Sequence, residues 1–338
     1  MKIDSGLSTE NDFHDLDTLT QRSRDLEISG FDGMLIAEMA HDPFLPFMIA
    51  ANETTRLEMR TSIAVALSRN PMIMANLGHD LNAYSKGRFT LGLGSQIKPH
   101  IEKRFGMPWH GPAKQMREFV LALHAIWDNW YEGKPLSFSG EYYTHSLMTP
   151  MFTPTNSQYG RPKIAVAAVG PLMTQVASEV ADGIILHAFN TEKYIRETLM
   201  PNIDKGLAKS QRSRSDFEVS FPMFVVCAED EESFEQNKRA AKQQIAFYGS
   251  TPAYKNVLDC HGWGDLQPEL NKLSKDGKWV EMANLISDEI LDVIAVVGEP
   301  IQVAEKIRSR YGDIVNRTTL NQAHAPTFLC KQFEIIRG

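Results

Sequence analysis

Short apolar segments rich in Val, Ile and Leu alternate along the chain with longer segments in which apolar residues recur every three or four positions. Segments of the first kind are typical of strands buried on both faces, and those of the second kind of amphipathic helices packed on a sheet. The predicted strands span residues 2–7, 33–37, 61–67, 88–94, 163–169, 182–188, 218–228 and 313–320. The predicted helices span residues 14–29, 43–57, 71–85, 113–130, 171–180, 191–209, 230–248 and 300–311.

Eight strand–helix repeats in a chain of 338 residues predict an α/β fold of the (β/α)8 TIM-barrel class, with residues 1–338 forming a single domain. Two segments are longer than such repeats require. One insertion, residues 131–162, follows strand 4 and its helix and contains a predicted hairpin around Ser139-Gly140, and the other, residues 249–290, precedes strand 8. Because long insertions in compact domains are usually functional, we expect lid or interface elements there.

Three junctions between predicted strands and helices place a favoured N-cap residue before a proline, namely Asp42-Pro43, Asn70-Pro71 and Gly170-Pro171. In a TIM barrel such junctions lie on the C-terminal rim of the strands, where catalytic groups collect. His41 directly precedes the first junction, with Glu38 close by, and His187 ends the sixth strand. These side chains are candidates for proton transfer, cofactor hydrogen bonding or metal binding. For His41, an ordinary packed or solvated histidine is an equally good interpretation.

Composition restricts the class of partner. The formal net charge is −7, and the 35 Lys and Arg residues are spread without long basic runs, so we expect no nucleic-acid partner. The three cysteines are far apart, which argues against a disulfide framework or a zinc cluster, and no other metal-ligand spacing is present. No apolar run reaches the roughly 18 residues of a spanning helix. We therefore expect a cytoplasmic protein that binds a small-molecule substrate, without metal or membrane.

Two glycine-containing segments suggest contact with a ligand. The segment "LGLGS" (91–95) does not fit the dinucleotide-binding pattern G-x-G-x-x-G, because position 97 is Ile97. Its glycines indicate either close approach to a flat ligand or tight packing. The segment "AVGPLM" (168–173) ends a strand and starts a helix, so its free N–H groups are suited to a phosphate. An ordinary tight turn is the alternative there.

The segments "GRFTLGLGSQIKPHIEKRFGMPW" (87–109) and "AVGPLM…ASEVADGIILH" (168–187) resemble the bacterial luciferase-like superfamily, and most of all its branch of coenzyme F420-dependent oxidoreductases. The resemblance covers nearly the whole chain. It implies a homodimer built on helices near the second and third repeats, and hydride transfer between C5 of the deazaflavin and a carbonyl, alcohol or activated alkene. The alternatives are an FMN-dependent monooxygenase of the same superfamily, a non-catalytic flavin-binding protein and, least favoured, a metal-dependent hydrolase.

The resemblance also implies roles for individual residues. A cis peptide bond at the end of the third strand, supporting the cofactor ring, is expected at Ser62–Ile63. The other implied positions are Gly94 and Ser95 beside the ring, Ala168, Val169 and Gly170 around the phosphate of the cofactor tail, His187 near that tail, and His41 beside the reactive carbon with Glu38 as its neighbour. Some sugar-phosphate dehydrogenases of the superfamily carry a glutamate soon after strand 4, where this chain has "SQIKPH" (95–100). A sugar-phosphate substrate is therefore not expected.

Overall fold

The computed structural model describes residues 1–7, 12–13, 15–320 and 326–338, and of residues 326–328 only the backbone. The barrel strands are β1 (Lys2–Gly6), β2 (Gly33–Ile36), β3 (Glu58–Thr61), β4 (Phe89–Gly94), β5 (Lys163–Ala168), β6 (Gly183–Leu186), β7 (Glu218–Phe221) and β8 (Arg317–Thr319). All of them pair in parallel, in the order β3-β2-β1-β8-β7-β6-β5-β4, and pairing of β4 with β3 closes the ring. The predicted (β/α)8 barrel is confirmed.

Helices surround this ring. They span Leu16–Ile28, Leu45–Glu53, Pro71–Tyr84, Pro112–Glu132, Pro171–Val180, Glu231–Gly249 and Pro300–Tyr311, with a further helix made of Glu192–Tyr194, the π-helical turn Ile195–Leu199 and Met200–Lys209. Residue 14, where the first predicted helix begins, lies outside the described residues. The other predicted helix ends agree to within a few residues, except for the second helix, which is shorter at both ends.

The three predicted N-caps have different outcomes. Asn70 and Gly170 are N-caps of the helices that begin at Pro71 and Pro171, as predicted. The prediction for Asp42 is wrong, because its helix begins at Leu45. The Asp42 carboxylate instead accepts hydrogen bonds from the N–H groups of Phe44 (2.8 Å) and Leu45 (3.2 Å). It therefore stabilises a turn ahead of the helix.

Two predicted strands are interrupted. The segment predicted as strand 61–67 consists of β3, which begins at Glu58, the short strand Ala64–Val65 and the 3-10 turn Ala66–Ser68. The bond Ser62–Ile63 between the first two is cis, as the resemblance implied. The segment 218–228 stops at Phe221 before Pro222, and Phe224–Val226 pairs with Ala295–Val297 in a separate two-stranded parallel sheet. That second strand was not predicted, since it follows the helix Asp288–Ile294 without a break.

The two insertions form defined structure. The first contains the predicted hairpin, Phe138–Ser139 paired antiparallel with Thr144–His145, and the 3-10 turn Pro150–Phe152. The second contains the turn Pro252–Tyr254 and helices Lys255–Asp259, Leu266–Lys275, Trp279–Asn284 and Asp288–Ile294. An unpredicted helix, Pro326–Arg337, packs against Pro300–Tyr311. None of the helices that the structure describes has the length and apolarity needed to cross a membrane.

The N-terminal end of the barrel interior is filled by an ion cluster. Arg317, 2% exposed, pairs with the carboxylates of Asp4, Glu58 and Glu218, and Arg60 also pairs with Glu218. Burial alone would raise the pKa of Glu218, but Arg60 and Arg317 lower that pKa to about 2. Burial raises the pKa of Asp4 despite the guanidinium of Arg317. Charged side chains thus occupy this end of the barrel interior.

Candidate active site

The residues predicted to form the site all follow the C-terminal ends of barrel strands. They are Glu38 and His41 after β2, Ser62 and Ile63 after β3, Gly94 and Ser95 at the end of β4, Ala168, Val169 and Gly170 at the end of β5, and His187 after β6. Because the strands are parallel and the ring is closed, these positions lie around one rim. The fold therefore brings residues from five consecutive strands to the same end of the barrel.

The glycines of β4 allow this strand to pack closely against the segment that follows β3. A Cβ atom at Gly92 would lie 1.7 Å from the carbonyl oxygen of Thr61, and one at Gly94 would lie 2.7 Å from Cδ1 of Ile63. Thr61 Oγ1 also donates to the carbonyl of Gly92 (2.7 Å) and accepts from its N–H (2.8 Å). Tight packing thus explains both glycines. It also places the half-buried Ile63 side chain beside Gly94, as an apolar surface on the rim.

The junction after β5 offers hydrogen-bond donors to an anion. The helix Pro171–Val180 has Gly170 as its N-cap and no side-chain cap. Its first intrahelical bond runs from the N–H of Thr174 to the carbonyl of Gly170 (3.1 Å), so the N–H groups of Leu172 and Met173 are left over. A Cβ atom at Gly170 would meet nothing within 4 Å. The space in front of this helix end is therefore open, as a bound phosphate requires.

His41 is exposed, and its ring stacks on that of Phe13, with centroids 5.0 Å apart and planes 13° apart. Within the described part of the chain, no hydrogen bond holds either ring nitrogen of His41. The imidazole is thus oriented by stacking while its nitrogens stay available to a ligand. Phe13 was not identified from the sequence, where it lies in a polar segment with no regular pattern.

Glu38 has a different environment from the predicted one. Its side chain is only 8% exposed, and its carboxylate Oε2 accepts hydrogen bonds from the N–H of Val65 (2.7 Å) and from Nη1 of Arg69 (2.6 Å). Its own N–H donates to the carbonyl of Ile63 (3.0 Å). These bonds direct Glu38 toward the segment after β3, and none of them involves His41. Arg69 was missed by the sequence analysis, since nothing in its local pattern distinguishes it.

His187 is held by aromatic residues on and next to the second insertion. Its ring stacks on Tyr254, with centroids 4.6 Å apart, and meets the edge of Tyr248 at the same centroid distance. Nδ1 accepts a hydrogen bond from the N–H of Phe189 (3.0 Å), so the ring proton lies on Nε2. Burial lowers the pKa of His187 to about 4. This histidine is a neutral hydrogen-bond donor at neutral pH. Its aromatic partners Tyr248 and Tyr254 were not identified from the sequence.

The loop after β4 contacts the loop after β2. Ser95 Oγ donates to the carbonyl of Gln96 (3.1 Å), and Gln96, at φ 58°, adopts a left-handed conformation. Gln96 Oε1 lies 3.1 Å from Nδ1 of His100, the first residue of the π-helical turn His100–Arg104. Arg104 donates to the carbonyl of Met39, two residues before His41. The loop that carries His41 is thereby joined to the loop after β4. Among the described residues, no group of His, Cys, Asp or Glu is arranged to hold a metal ion.

Comparison with known proteins gives a consistent picture. Residues 1–317 match the family model described as luciferase-like monooxygenase. An uncharacterized protein of Mycobacterium tuberculosis is 54% identical over 93% of this chain and 90% of its own length. The 5,10-methylenetetrahydromethanopterin reductase of Archaeoglobus fulgidus is 30% identical over 83% of this chain and 82% of its own length. A solved structure, the coenzyme F420 dependent tetrahydromethanopterin reductase of Methanopyrus kandleri, superimposes with a TM-score of 0.77, covering 99% of this chain and 96% of that one at 20% identity.

Proposed function

The chain belongs to the luciferase-like monooxygenase family and is an oxidoreductase, and we propose that it uses coenzyme F420 to transfer a hydride to or from a small organic substrate, a carbonyl, an alcohol or an activated alkene. The observation that carries this proposal is the 30% identity to the Archaeoglobus fulgidus reductase over 83% of the chain. The cofactor is proposed from the tetrahydromethanopterin reductase of Methanopyrus kandleri, which has the same fold and is described as coenzyme F420 dependent.

The rim residues fit such a cofactor. The N–H groups left over at the helix that begins at Pro171, with open space at Gly170, suit the phosphate of its tail. Ala168 and Val169 lead into that junction, and the apolar side chain of Ile63 beside Gly94 suits one face of a flat ring. When bound, the deazaflavin supplies the hydride chemistry at C5. The protein then has to orient the ring, shield it from water and donate or accept the proton at the substrate.

We assign proton transfer to and from the substrate to His41. Its ring nitrogens make no hydrogen bond in the described part of the chain, and its stacking on Phe13 fixes the ring plane. A ring N–H of His41 would donate to the substrate oxygen as that oxygen gains negative charge, or the ring would accept the proton in the opposite direction. His187 is suited to a different task, because its low pKa keeps it neutral. Its Nε2–H would bind an oxygen of the cofactor without exchanging a proton.

We also propose a homodimer, with a second copy of the chain on the adjacent helices Leu45–Glu53 and Pro71–Tyr84. These two helices pack against each other and carry large exposed apolar side chains: Leu45 (69% exposed), Met48 (45%), Ile73 (64%) and Tyr84 (53%). Large exposed apolar side chains on adjacent helices are typical of an interface between subunits. Light scattering after size exclusion should give twice the chain mass, and the charged variant Ile73→Glu should give the monomer.

The cofactor assignment is tested by parallel fluorescence titration of the purified protein with F420 and FMN. We expect saturable binding of F420, with much weaker binding of FMN. The variant Leu172→Pro removes one of the two free N–H groups at the phosphate position and should weaken F420 binding, whereas Leu147→Pro, in an exposed loop of the first insertion, should not. Tight binding of FMN alone, with oxygen consumption, would instead identify a monooxygenase.

The role of His41 is tested with reduced F420 and a panel of carbonyl compounds. His41→Gln keeps a hydrogen-bonding side chain but cannot exchange a proton, so hydride transfer should slow by about 10²- to 10⁴-fold, the usual contribution of general acid–base catalysis. Its affinity for F420 should be unchanged. His110→Gln, another exposed histidine, is the matched control and should keep full activity. Full activity of His41→Gln would remove His41 from the mechanism.

A further inference from the structure

Glu38 holds the backbone segment Ile63–Val65 at two points. Its N–H donates to the carbonyl of Ile63 (3.0 Å), and its carboxylate Oε2 accepts from the N–H of Val65 (2.7 Å). Both bonds link the end of β2 to the residues that follow the Ser62–Ile63 bond. Because the Glu38 side chain is 8% exposed, the carboxylate bond is shielded from competing water.

Arg69 completes this arrangement from the other side. Its Nη1 donates to Oε2 of Glu38 (2.6 Å) and to the carbonyl of Val65 (2.9 Å). The guanidinium also lies 5.6 Å from the centroid of the Phe44 ring, and Ser68 Oγ adds a second bond to the Val65 carbonyl (2.9 Å). The ion pair Glu38–Arg69 therefore engages both the N–H and the carbonyl of one residue, Val65. A pair that is only 8% and 21% exposed fixes geometry better than a solvated surface pair.

The segment held in this way forms part of the site. Val65 is the strand partner of Gly94, and the Ile63 side chain occupies the position where a Cβ of Gly94 would be. A shift of residues 63–65 would therefore move the apolar surface on the rim. We infer that Glu38, with Arg69, is a positioning residue: the pair clamps Ile63 against Gly94 and so preforms the surface on which the cofactor ring rests. This inference depends on the proposed function for the identity of the ring.

Two variants, Glu38→Gln and Glu38→Ala, distinguish a positioning role of Glu38 from a proton-transfer role. The variant Glu38→Gln keeps an oxygen that can accept from Val65 and Arg69 but has no carboxylate to exchange a proton. Glu38→Ala loses the oxygen and with it the side-chain bonds to Val65 and Arg69, and keeps only the backbone bond to Ile63. If Glu38 positions the segment, Gln should replace it and Ala should not. If Glu38 transfers a proton, both variants should lose hydride transfer alike while their affinity for F420 stays unchanged.

The test measures the dissociation constant of F420 by fluorescence and the melting temperature of each variant. For Glu38→Ala we expect affinity for F420 to fall about tenfold, and for Glu38→Gln by no more than about threefold. Arg69→Met removes the other half of the clamp, so its F420 affinity should fall as much as that of Glu38→Ala. If Glu38→Ala does not fold, Arg69→Met still tests the clamp. The double variant should lose little more than either single one, because both remove the same clamp.

The matched control is Arg88→Met. Arg88 precedes β4 at the opposite end of the barrel and donates to the carbonyls of Leu57 (2.7 Å) and Thr54 (2.9 Å), so it too is an arginine that holds backbone. Its loss should lower the melting temperature at least as much as Glu38→Ala does, while F420 affinity stays within about twofold. A purely structural role of Glu38 would make the two variants behave alike.

The outcomes separate the inference from the proposed function. If the unmodified protein binds F420 and Glu38→Ala binds it equally well, the clamp is wrong and the cofactor assignment stands. Equal loss in Glu38→Ala and Glu38→Gln also overturns the clamp. If the unmodified protein binds FMN and not F420, the cofactor assignment fails, and the same variants titrated with FMN decide on the clamp. Binding of neither cofactor overturns both.

Discussion

The two ends of the barrel use polar residues in opposite ways. At the N-terminal end, Asp4, Arg60 and Arg317 are at most 5% exposed and belong to one ion cluster. At the C-terminal rim, His41 is exposed and the helix end at Gly170 faces open space. The closed end pairs its charged groups with each other, although Asp4 Oδ2 and Arg60 Nε and Nη1 are buried without a hydrogen-bond partner in the described part of the chain. The open end instead keeps the ring nitrogens of His41 and the helix end at Gly170 available to a ligand. This division separates stability from ligand binding within one ring of strands.

The largest expected effect comes from the closed end. Arg317→Met removes the partner of three carboxylates, those of Asp4, Glu58 and Glu218. Removing one side of a buried ion pair costs about 3–5 kcal/mol, so the free energy of unfolding in urea should fall by that amount. The control Arg117→Met breaks a pair with Glu179 in which the arginine is 47% exposed, and should cost less than about 1 kcal/mol. Similar losses for both would show that the cluster is not a special source of stability.

The next largest effect concerns the pH dependence of stability at His187. Its pKa is about 4 in the folded protein, below the ordinary histidine pKa of 6.5, because the side chain is buried. Protonation is therefore more favourable in the unfolded chain, so the folded state loses stability as pH falls from about 6.5 toward 4. The difference between these two pKa values corresponds to about 3 kcal/mol of unfolding free energy between pH 7 and 4. Between pH 7 and 4, the wild type should lose up to this much more unfolding free energy than His187→Gln.

Other groups also titrate in this pH range, since burial lowers the pKa values of His79 and His145 as well. The comparison of His187→Gln with the wild type cancels their contribution, because both proteins contain them. The variant His110→Gln, at an exposed position, should keep the pH dependence of the wild type. Parallel pH curves for the wild type and His187→Gln would show that His187 is not buried in a neutral form.

The sequence predicted the ring but only part of the site. Strands buried on both faces are recognisable as apolar runs, so each barrel strand overlaps a predicted one, although the predictions 61–67 and 218–228 extended past the ends of β3 and β7. Ser62 and Ile63 were placed on the rim by the family resemblance and not by a predicted strand end. The bonds between those residues could not be predicted. Glu38 and Arg69 are separated by 31 positions, and their pairing depends on side-chain directions that no local pattern encodes. For the same reason Glu38 was predicted as a neighbour of His41, whereas its hydrogen bonds go to the segment after β3.

A smaller effect is expected at Thr61, the last residue of β3, directly before the rim. Thr61, which is fully buried, accepts from the N–H of Gly92 and donates to its carbonyl. Thr61→Val has a similar shape but leaves both backbone groups without this partner, which should cost about 2 kcal/mol in chemical denaturation. Thr61→Ser keeps the hydroxyl and should cost less. If the variants Thr61→Val and Thr61→Ser were equally stable, the Thr61 hydroxyl would not hold β4 against β3.

The smallest change in stability is expected at the open end, where it should oppose binding. Gly170→Asp places a carboxylate at the N-cap of the helix Pro171–Val180, where it can accept from the N–H groups that glycine leaves free. The helix should gain a few tenths of a kcal/mol up to about 1 kcal/mol, because aspartate suits both the cap and the helix dipole. The same carboxylate would occupy the phosphate position and repel the cofactor tail, so affinity for F420 should fall.

The control variant Gly170→Ala adds a Cβ in open space without a charge, and its F420 affinity should stay close to that of the wild type. Undiminished F420 binding by Gly170→Asp would mean that the cofactor tail lies elsewhere on the rim, and the contrast between the two ends would then concern stability alone.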